Sequence, residues 1–147
     1  MLIHRKTIHI EWGDCDPGGV VYFPRYFEYF DACTNALFES VGLPKAHLVA
    51  TYGIAGIPLV EAKANFRMPS QFGDNVVVES RVAEWGRSSF SVQHKLFKGE
   101  VLAVEATEKR VWVGRSPGGS VRFKALSIPQ EVKERFSSSA RHPKSAD

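Results

Sequence analysis

Residues 13–41 read GDCDPGGVVYFPRYFEYFDACTNALFESV. The second half of this stretch has helical spacing. Tyr26, Tyr29, Phe30, Cys33, Leu37 and Phe38 recur at three- and four-residue intervals, and Glu28, Asp31, Asn35 and Glu39 form a polar stripe between them. Pro24 suits a first helical turn, where its missing N–H costs nothing. Gly42 and Pro44 supply the stop. The expected helix therefore runs from Pro24 to Val41. More than half of it is apolar, so it is expected to be buried on most sides, as a helix wrapped by a sheet would be.

Outward from this helix the pattern is β. Upstream, residues 3–12 (IHRKTIHIEW) alternate late in the run, with Ile8, Ile10 and Trp12 on one parity. Downstream, residues 44–51 fit a second short helix, and Gly53, Gly56 and Pro58 then break the chain. From Leu59 on, Val60, Ala62, Ala64, Phe66 and Met68 alternate with polar neighbours. Val76–Trp85 is a valine-rich strand, followed by a tight connection at Gly86 and Arg87. Phe90, Val92, His94 and Leu96 share one face of the next strand. Lys98–Glu100 is a hairpin turn, Val101–Val113 a long strand, Ser116–Gly119 a second turn and Val121–Ala125 a closing strand. Pro129–Phe136 fits a terminal helix. The expected domain spans residues 1–136, and residues 137–147 (SSSARHPKSAD) are expected to be a mobile tail. One long helix followed by a run of strands is α+β: a curved antiparallel sheet around a single helix. Its edge strands and outer face need cover, so a homo-oligomer is expected, a dimer or a dimer of dimers.

Composition narrows the function classes. The chain has 147 residues, 44% of them hydrophobic and 24% charged, which places it among single globular domains. Its net charge of +3 is too mild to point to nucleic acid, yet it leaves room for a basic patch that meets a phosphorylated small molecule. The two cysteines form no Cys-x-x-Cys, and the five histidines lack metal-ligand spacing, so no metal is expected. No run suits a membrane span or a signal peptide. The expected setting is cytoplasmic.

The chemistry sits in residues 13–24. Asp and Pro build Asx-type turns readily, and that alone could explain the loop. The other reading uses geometry. A helix start presents N–H groups that lack partners and carry partial positive charge, which suits a developing oxyanion. A carboxylate beside it, Asp14 or Asp16, can act as base or nucleophile. Gly18 and Gly19 would let a substrate come close to the backbone. Elsewhere, His94 lies on an apolar parity and reads as a hydrogen-bonded core residue. Ser88 and Ser89 have no visible His/Asp partner.

The loop and helix together, GDCDPGGVVYFPRYFEYFDA, resemble the signature of the 4-hydroxybenzoyl-CoA thioesterase family, in its Pseudomonas-type subgroup. IPLVEAKANF, EWGRSSF and EKRVWV are similar to later strands of the same family. The resemblance implies a hot-dog fold and hydrolysis of an acyl-CoA thioester, with no cofactor beyond the coenzyme A carried by the substrate. It implies that Asp16 is the catalytic carboxylate, attacking the carbonyl or activating water. The backbone N–H of Phe23 would polarise that carbonyl. The family commonly has Tyr here, so Phe23 removes a hydroxyl from the site. Gly19 and Tyr22 would line the substrate, and Asp31 would meet the hydroxyl of an aryl group. Arg87, Ser88 and Ser89, with Arg122 and Lys124 later in the chain, would hold the nucleotide of CoA. This chain has Gly86, Ser88 and Ser89 where relatives are more basic. The resemblance favours an aryl-CoA substrate. A short-chain acyl-CoA thioesterase of the Tol-Pal-associated type and a non-catalytic acyl-CoA-binding protein are the alternatives.

Overall fold

The computed structural model describes residues 1–116 and 122–137. Five strands form one antiparallel sheet in the order β1-β3-β4-β5-β2: β1 His4–His9, β2 Leu59–Phe66, β3 Asn75–Trp85, β4 Ser89–Lys98 and β5 Val101–Val111. A short ribbon, β6 Val113–Arg115 with β7 Phe123–Ala125, continues from β5. Helix α1, Pro24–Ser40, lies against the concave face, with α2 (Lys45–Tyr52) and α3 (Gln130–Glu134) at its far end. This is the hot-dog arrangement. Register shifts in the β2–β5, β3–β4 and β4–β5 pairs supply local twist, which helps a sheet curve.

The core falls into two apolar clusters along α1. Tyr26, Phe30 and Cys33 meet Ile10, Val76, Val78, Leu96 and Val104 in the first. Leu37 and Phe38 meet Leu48, Val82, Phe90, Trp112 and Phe136 in the second. Each fully buried side chain of this size contributes about 1.5–3 kcal/mol from removal of apolar surface. Between the clusters lies a polar layer. Thr34 of α1, Ser80 of β3, His94 of β4 and Glu108 of β5 are all buried at that level, on parities that are otherwise apolar. His94 is thus the hydrogen-bonded core residue its parity implies: its Nδ1 lies 2.7 Å from Ser80 Oγ and its Nε2 2.9 Å from Glu108.

Three expectations are corrected. Trp12 does not continue the alternation of Ile8 and Ile10. The strand stops at His9, and Trp12–Asp14 curl into a 3-10 turn in which Asp14 Oδ2 accepts the Glu11 N–H at 3.1 Å. Trp12 is 73% exposed and meets Phe72 edge-to-face. Helix α1 is buried on one face, not on most sides. Glu28, Asp31, Ala32, Asn35 and Glu39 stay exposed, because the sheet of a single chain covers only the Tyr26–Phe30–Leu37 stripe. Finally, β2 is exposed on both faces along nearly its whole length despite its alternation, because it is an edge strand. Much of the expected turn at Ser116–Gly119, the first residue of the expected closing strand and the tail from 138 lie outside the described residues. Among the described residues, no helix is long and apolar enough to cross a membrane.

Candidate active site

The loop ahead of α1 is a small hairpin. Cys15 pairs with Val21, and the Asp16 N–H donates to Val20 O at 2.9 Å. Val20 pairs with Gln71, and the Val21 N–H reaches Ser70 O at 2.9 Å, so the hairpin is clipped to the turn before β3. Its tip is the turn Asp16–Gly19, closed by the Gly19 N–H on Asp16 O at 2.9 Å, with Pro17 at the position where a fixed φ helps. Gly19 has φ of 84°, which only glycine adopts freely. Gly18 serves a different purpose. A methyl group there would sit 3.0 Å from Asp16 Oδ1.

That contact shows how Asp16 is held. Its Oδ1 accepts the Gly18 N–H at 2.8 Å, while Oδ2 has no partner among the described residues. The side chain is only half-buried. The Asx turn and a free carboxylate oxygen therefore coexist in one residue: the turn holds Oδ1 and leaves Oδ2 without a partner among the described residues.

The helix start offers the complementary charge. Pro24 has no N–H; the Arg25 N–H reaches Tyr22 O at 2.8 Å and the Tyr26 N–H reaches Phe23 O at 3.1 Å. The Phe23 N–H has no acceptor among the described residues. Phe23 is 57% exposed and Tyr22 51%, so both residues lie at the surface. A groove of about 220 Å³ beside it is lined by Phe23, Tyr26, Phe66 and Met68. Asp14 differs from Asp16. Its Oδ2 is used by the Glu11 N–H, and its Oδ1 lies 4.0 Å from Arg25 Nε. Burial, and then the Asp14 carboxylate nearby, push the Tyr29 phenol far above its usual range, so it stays protonated.

Two turns along the helix, Asp31 lines a second cavity of about 360 Å³ with Asn35, Lys45, Ile57, Pro58 and Phe123. Its side chain is 59% exposed, yet its Oδ1 accepts Arg110 Nη2 at 2.8 Å. It is thus both a helix-face carboxylate and a cavity wall. Arg110 and its neighbour Glu108 were missed in the sequence. The signal was available: on β5 they share the parity of Val104, Ala106 and Trp112, two opposite charges on an inward face.

The expected CoA residues divide. Arg87 is exposed at the β3–β4 turn, and Ser88 and Ser89 are partly buried beside it. The carbonyls of these three accept backbone N–H groups, from Ile128 to Arg87 at 2.8 Å, Trp112 to Ser88 at 2.7 Å and Gly86 to Ser89 at 2.7 Å. The first of these bonds ties the turn to the segment after β7; Lys124 lies within β7 and Arg122 immediately before it. Arg87, Arg122 and Lys124 are exposed and have no acidic partner among the described residues. Other carboxylates and the buried relay of side chains offer less. Glu28 pairs with Arg25 and Glu61 with Lys63 on the surface. Ser80, His94 and Glu108 follow the order of a serine-hydrolase relay, but each is at most 3% exposed, so no substrate reaches Ser80. Burial pushes the Cys33 thiol up to about 12, which leaves it inert.

Residues 10–136 match the model of the thioesterase-like superfamily. The chain belongs to that superfamily. Within it, the chain is 34% identical over 131 residues to 4-hydroxybenzoyl-CoA thioesterase of Pseudomonas sp. strain CBS-3, covering 85% of this chain and 91% of that one. A solved aspartate-to-asparagine variant of 4-hydroxybenzoyl-CoA thioesterase, complexed with 4-hydroxybenzoyl-CoA, superposes with a TM-score of 0.83 at 30% identity, covering 92% of this chain and 99% of that one. A gentisyl-coenzyme A thioesterase superposes with a TM-score of 0.77 at 28% identity, over 90% and 98% of the two chains. The chain is therefore a member of the 4-hydroxybenzoyl-CoA thioesterase family and a thioester hydrolase. As a hydrolase it needs a carbonyl dock and a group that delivers water or attacks directly, and the helix start supplies a candidate for each.

Proposed function

We propose that this thioesterase hydrolyses an aryl-CoA thioester, 4-hydroxybenzoyl-CoA or a close relative, to the free acid and CoA. The observation that carries the proposal is the pairing of a half-anchored carboxylate, Asp16, with an unengaged N–H at a helix start, Phe23. The thioester carbonyl accepts the Phe23 N–H. As its oxygen gains charge, this N–H and the partial positive charge of the helix end stabilise it. Asp16 Oδ2 either attacks the carbonyl carbon, forming an anhydride that water then opens, or takes a proton from the attacking water. In both routes the C–S bond breaks and CoA leaves as thiolate. Gly19 and Tyr22 border the reacting atoms.

Asp31 lies eight residues beyond Phe23, about 12 Å along the axis at 1.5 Å per residue. Helix side chains lean back toward the N-terminus, which shortens that span. An aryl group running along α1 would present its far substituent to Asp31. Arg87, with Arg122 and Lys124, would meet the phosphates of CoA. A second copy of the chain would cover the exposed edge of β2, where Leu59, Val60 and Phe66 are 46%, 58% and 48% exposed, and would complete the wall opposite α1.

The test is a panel of benzoyl-, 4-hydroxybenzoyl-, butyryl- and palmitoyl-CoA, with release of free thiol as the readout. The proposal expects turnover of the aryl thioesters above the others. A rate confined to butyryl-CoA would move the assignment to a short-chain enzyme. Tight CoA binding without turnover of any member would make this a binding protein.

A further inference from the structure

Arg110 is the residue whose burial and contacts the reaction as proposed leaves unexplained. Its side chain is 6% exposed, and it sits where β5 meets the start of β2. The guanidinium makes three directed contacts. Nη2 donates to Glu108 Oε2 at 2.8 Å and to Asp31 Oδ1 at 2.8 Å, and Nη1 donates to Ile57 O at 3.1 Å. These partners lie on β5, on α1 and in the loop before β2; Asp31 and Ile57 line the same cavity as Arg110, and Glu108 lies behind it in the core. Glu108 in turn accepts from His94 and from the Thr34 hydroxyl, so the guanidinium is braced from within the core. A planar fork reaching two carboxylates and a carbonyl at once is a task for arginine that lysine cannot copy.

We infer that Arg110 is a positioning residue for substrate selection: by holding Asp31 Oδ1, it fixes Asp31 so that the other oxygen, Oδ2, faces the cavity as an acceptor for a hydroxyl on the acyl group. This rests on the aryl-CoA reading above and deepens it. Free in solvent, an aspartate on a helix face samples several rotamers and would lose entropy on meeting a ligand. The Arg110 bond removes that loss in advance. It also uses up one of the two acceptor oxygens, so the remaining acceptor demands a donor. A hydroxyl satisfies it. An unsubstituted ring leaves it desolvated and unpaired, which is the larger source of discrimination. The proposed substrate class is therefore hydroxylated aryl-CoA.

The test compares two inert thioethers, 4-hydroxyphenacyl-CoA and phenacyl-CoA, by calorimetric titration of the full-length protein. Wild type is expected to prefer the hydroxylated ligand by roughly tenfold or more. In Asp31→Asn, Arg110→Lys and Arg110→Met that preference is expected to collapse to about twofold or less, while affinity for phenacyl-CoA changes little. Arg110→Met and Arg110→Lys also strain the buried Glu108. The double variant Glu108→Gln/Arg110→Met removes that charge, and it keeps the test readable if the single variants fold poorly. A merely structural role for Arg110 would weaken both ligands equally and leave the ratio intact, and that result overturns the inference. So does a wild type that binds both ligands alike. A wild type that shows the preference but hydrolyses neither parent thioester refutes the catalytic reading and leaves the Arg110 inference supported.

Discussion

The hairpin at Asp16 and the polar layer at Glu108 each hold a carboxylate, and they use it in opposite ways. Asp16 is half-buried, with one oxygen tied to the Gly18 N–H at 2.8 Å and the other unengaged. Glu108 is 3% exposed, and both its oxygens are consumed, one by His94 and Thr34 and the other by Arg110. Burial alone would push the Glu108 carboxyl up. The hydrogen bonds and charges of His94 and Arg110 outweigh that and hold it below the usual range. A satisfied carboxylate in the core orients its neighbours but has no free oxygen to offer a substrate. A carboxylate anchored by one oxygen in a tight turn is held in place and keeps its other oxygen open to a substrate. The difference lies in how many lone pairs the fold has already taken.

Substitutions that exchange the consequences of the two sites break this comparison most sharply. Asp16→Asn is expected to lose roughly a thousandfold or more in turnover of 4-hydroxybenzoyl-CoA, with an unchanged melting temperature. Glu108→Leu should do the reverse first. It strands Arg110 and His94 in the core, and urea unfolding should report a loss of about 3–5 kcal/mol. Should Glu108→Leu keep wild-type stability, the polar layer would not have the structural role given to it.

Smaller effects sharpen the contrast. Gly18→Ala presses a methyl group on Asp16 Oδ1, and a displaced carboxylate is expected to lose roughly tenfold to a hundredfold in kcat with KM little changed. The Glu108 ion pairs also predict a pH dependence. Since the folded state lowers the Glu108 pKa below 4.5, it binds its proton later than the unfolded chain does. That stabilisation is fully present above the ordinary value and is lost as the pH falls through the folded one. Thermal unfolding followed from pH 6 down to pH 3 should therefore fall more steeply in wild type than in Glu108→Gln. Phe23→Leu is expected to stay within about twofold of wild-type activity, since the proposed donor is the backbone N–H and not the ring.

The two sites also differ in how far they could be read in advance. The hairpin and α1 were legible because their signals are local. Asp-Pro-Gly-Gly makes a tight turn, Pro24 opens a helix, and Tyr26, Phe30 and Leu37 mark its buried stripe. The polar layer was not, because it exists only once three strands are in register. Ser80 faces His94 across the β3–β4 pair, and Glu108, opposite Val92 in the β4–β5 register, reaches His94 diagonally. Of its members, only His94 was drawn out from its parity. The exposure of β2 was hidden for a similar reason. Alternation in Val60–Phe66 states that a strand has two faces, but not that the strand lies at the sheet's edge. Trp12 misled because a parity argument fails where a capped turn interrupts the strand.

The proposed reaction requires the thioester carbonyl to dock at the Phe23 N–H within reach of Asp16. The Asp16→Asn variant, loaded with 4-hydroxybenzoyl-CoA carrying a 13C-labelled thioester carbonyl, allows that contact to be read directly by infrared difference spectroscopy. The account predicts an intact thioester whose carbonyl stretch moves to lower frequency on binding, as a carbonyl polarised by a helix-end donor must. A bound thioester with the frequency it has in water, or rapid hydrolysis by the variant, would contradict it.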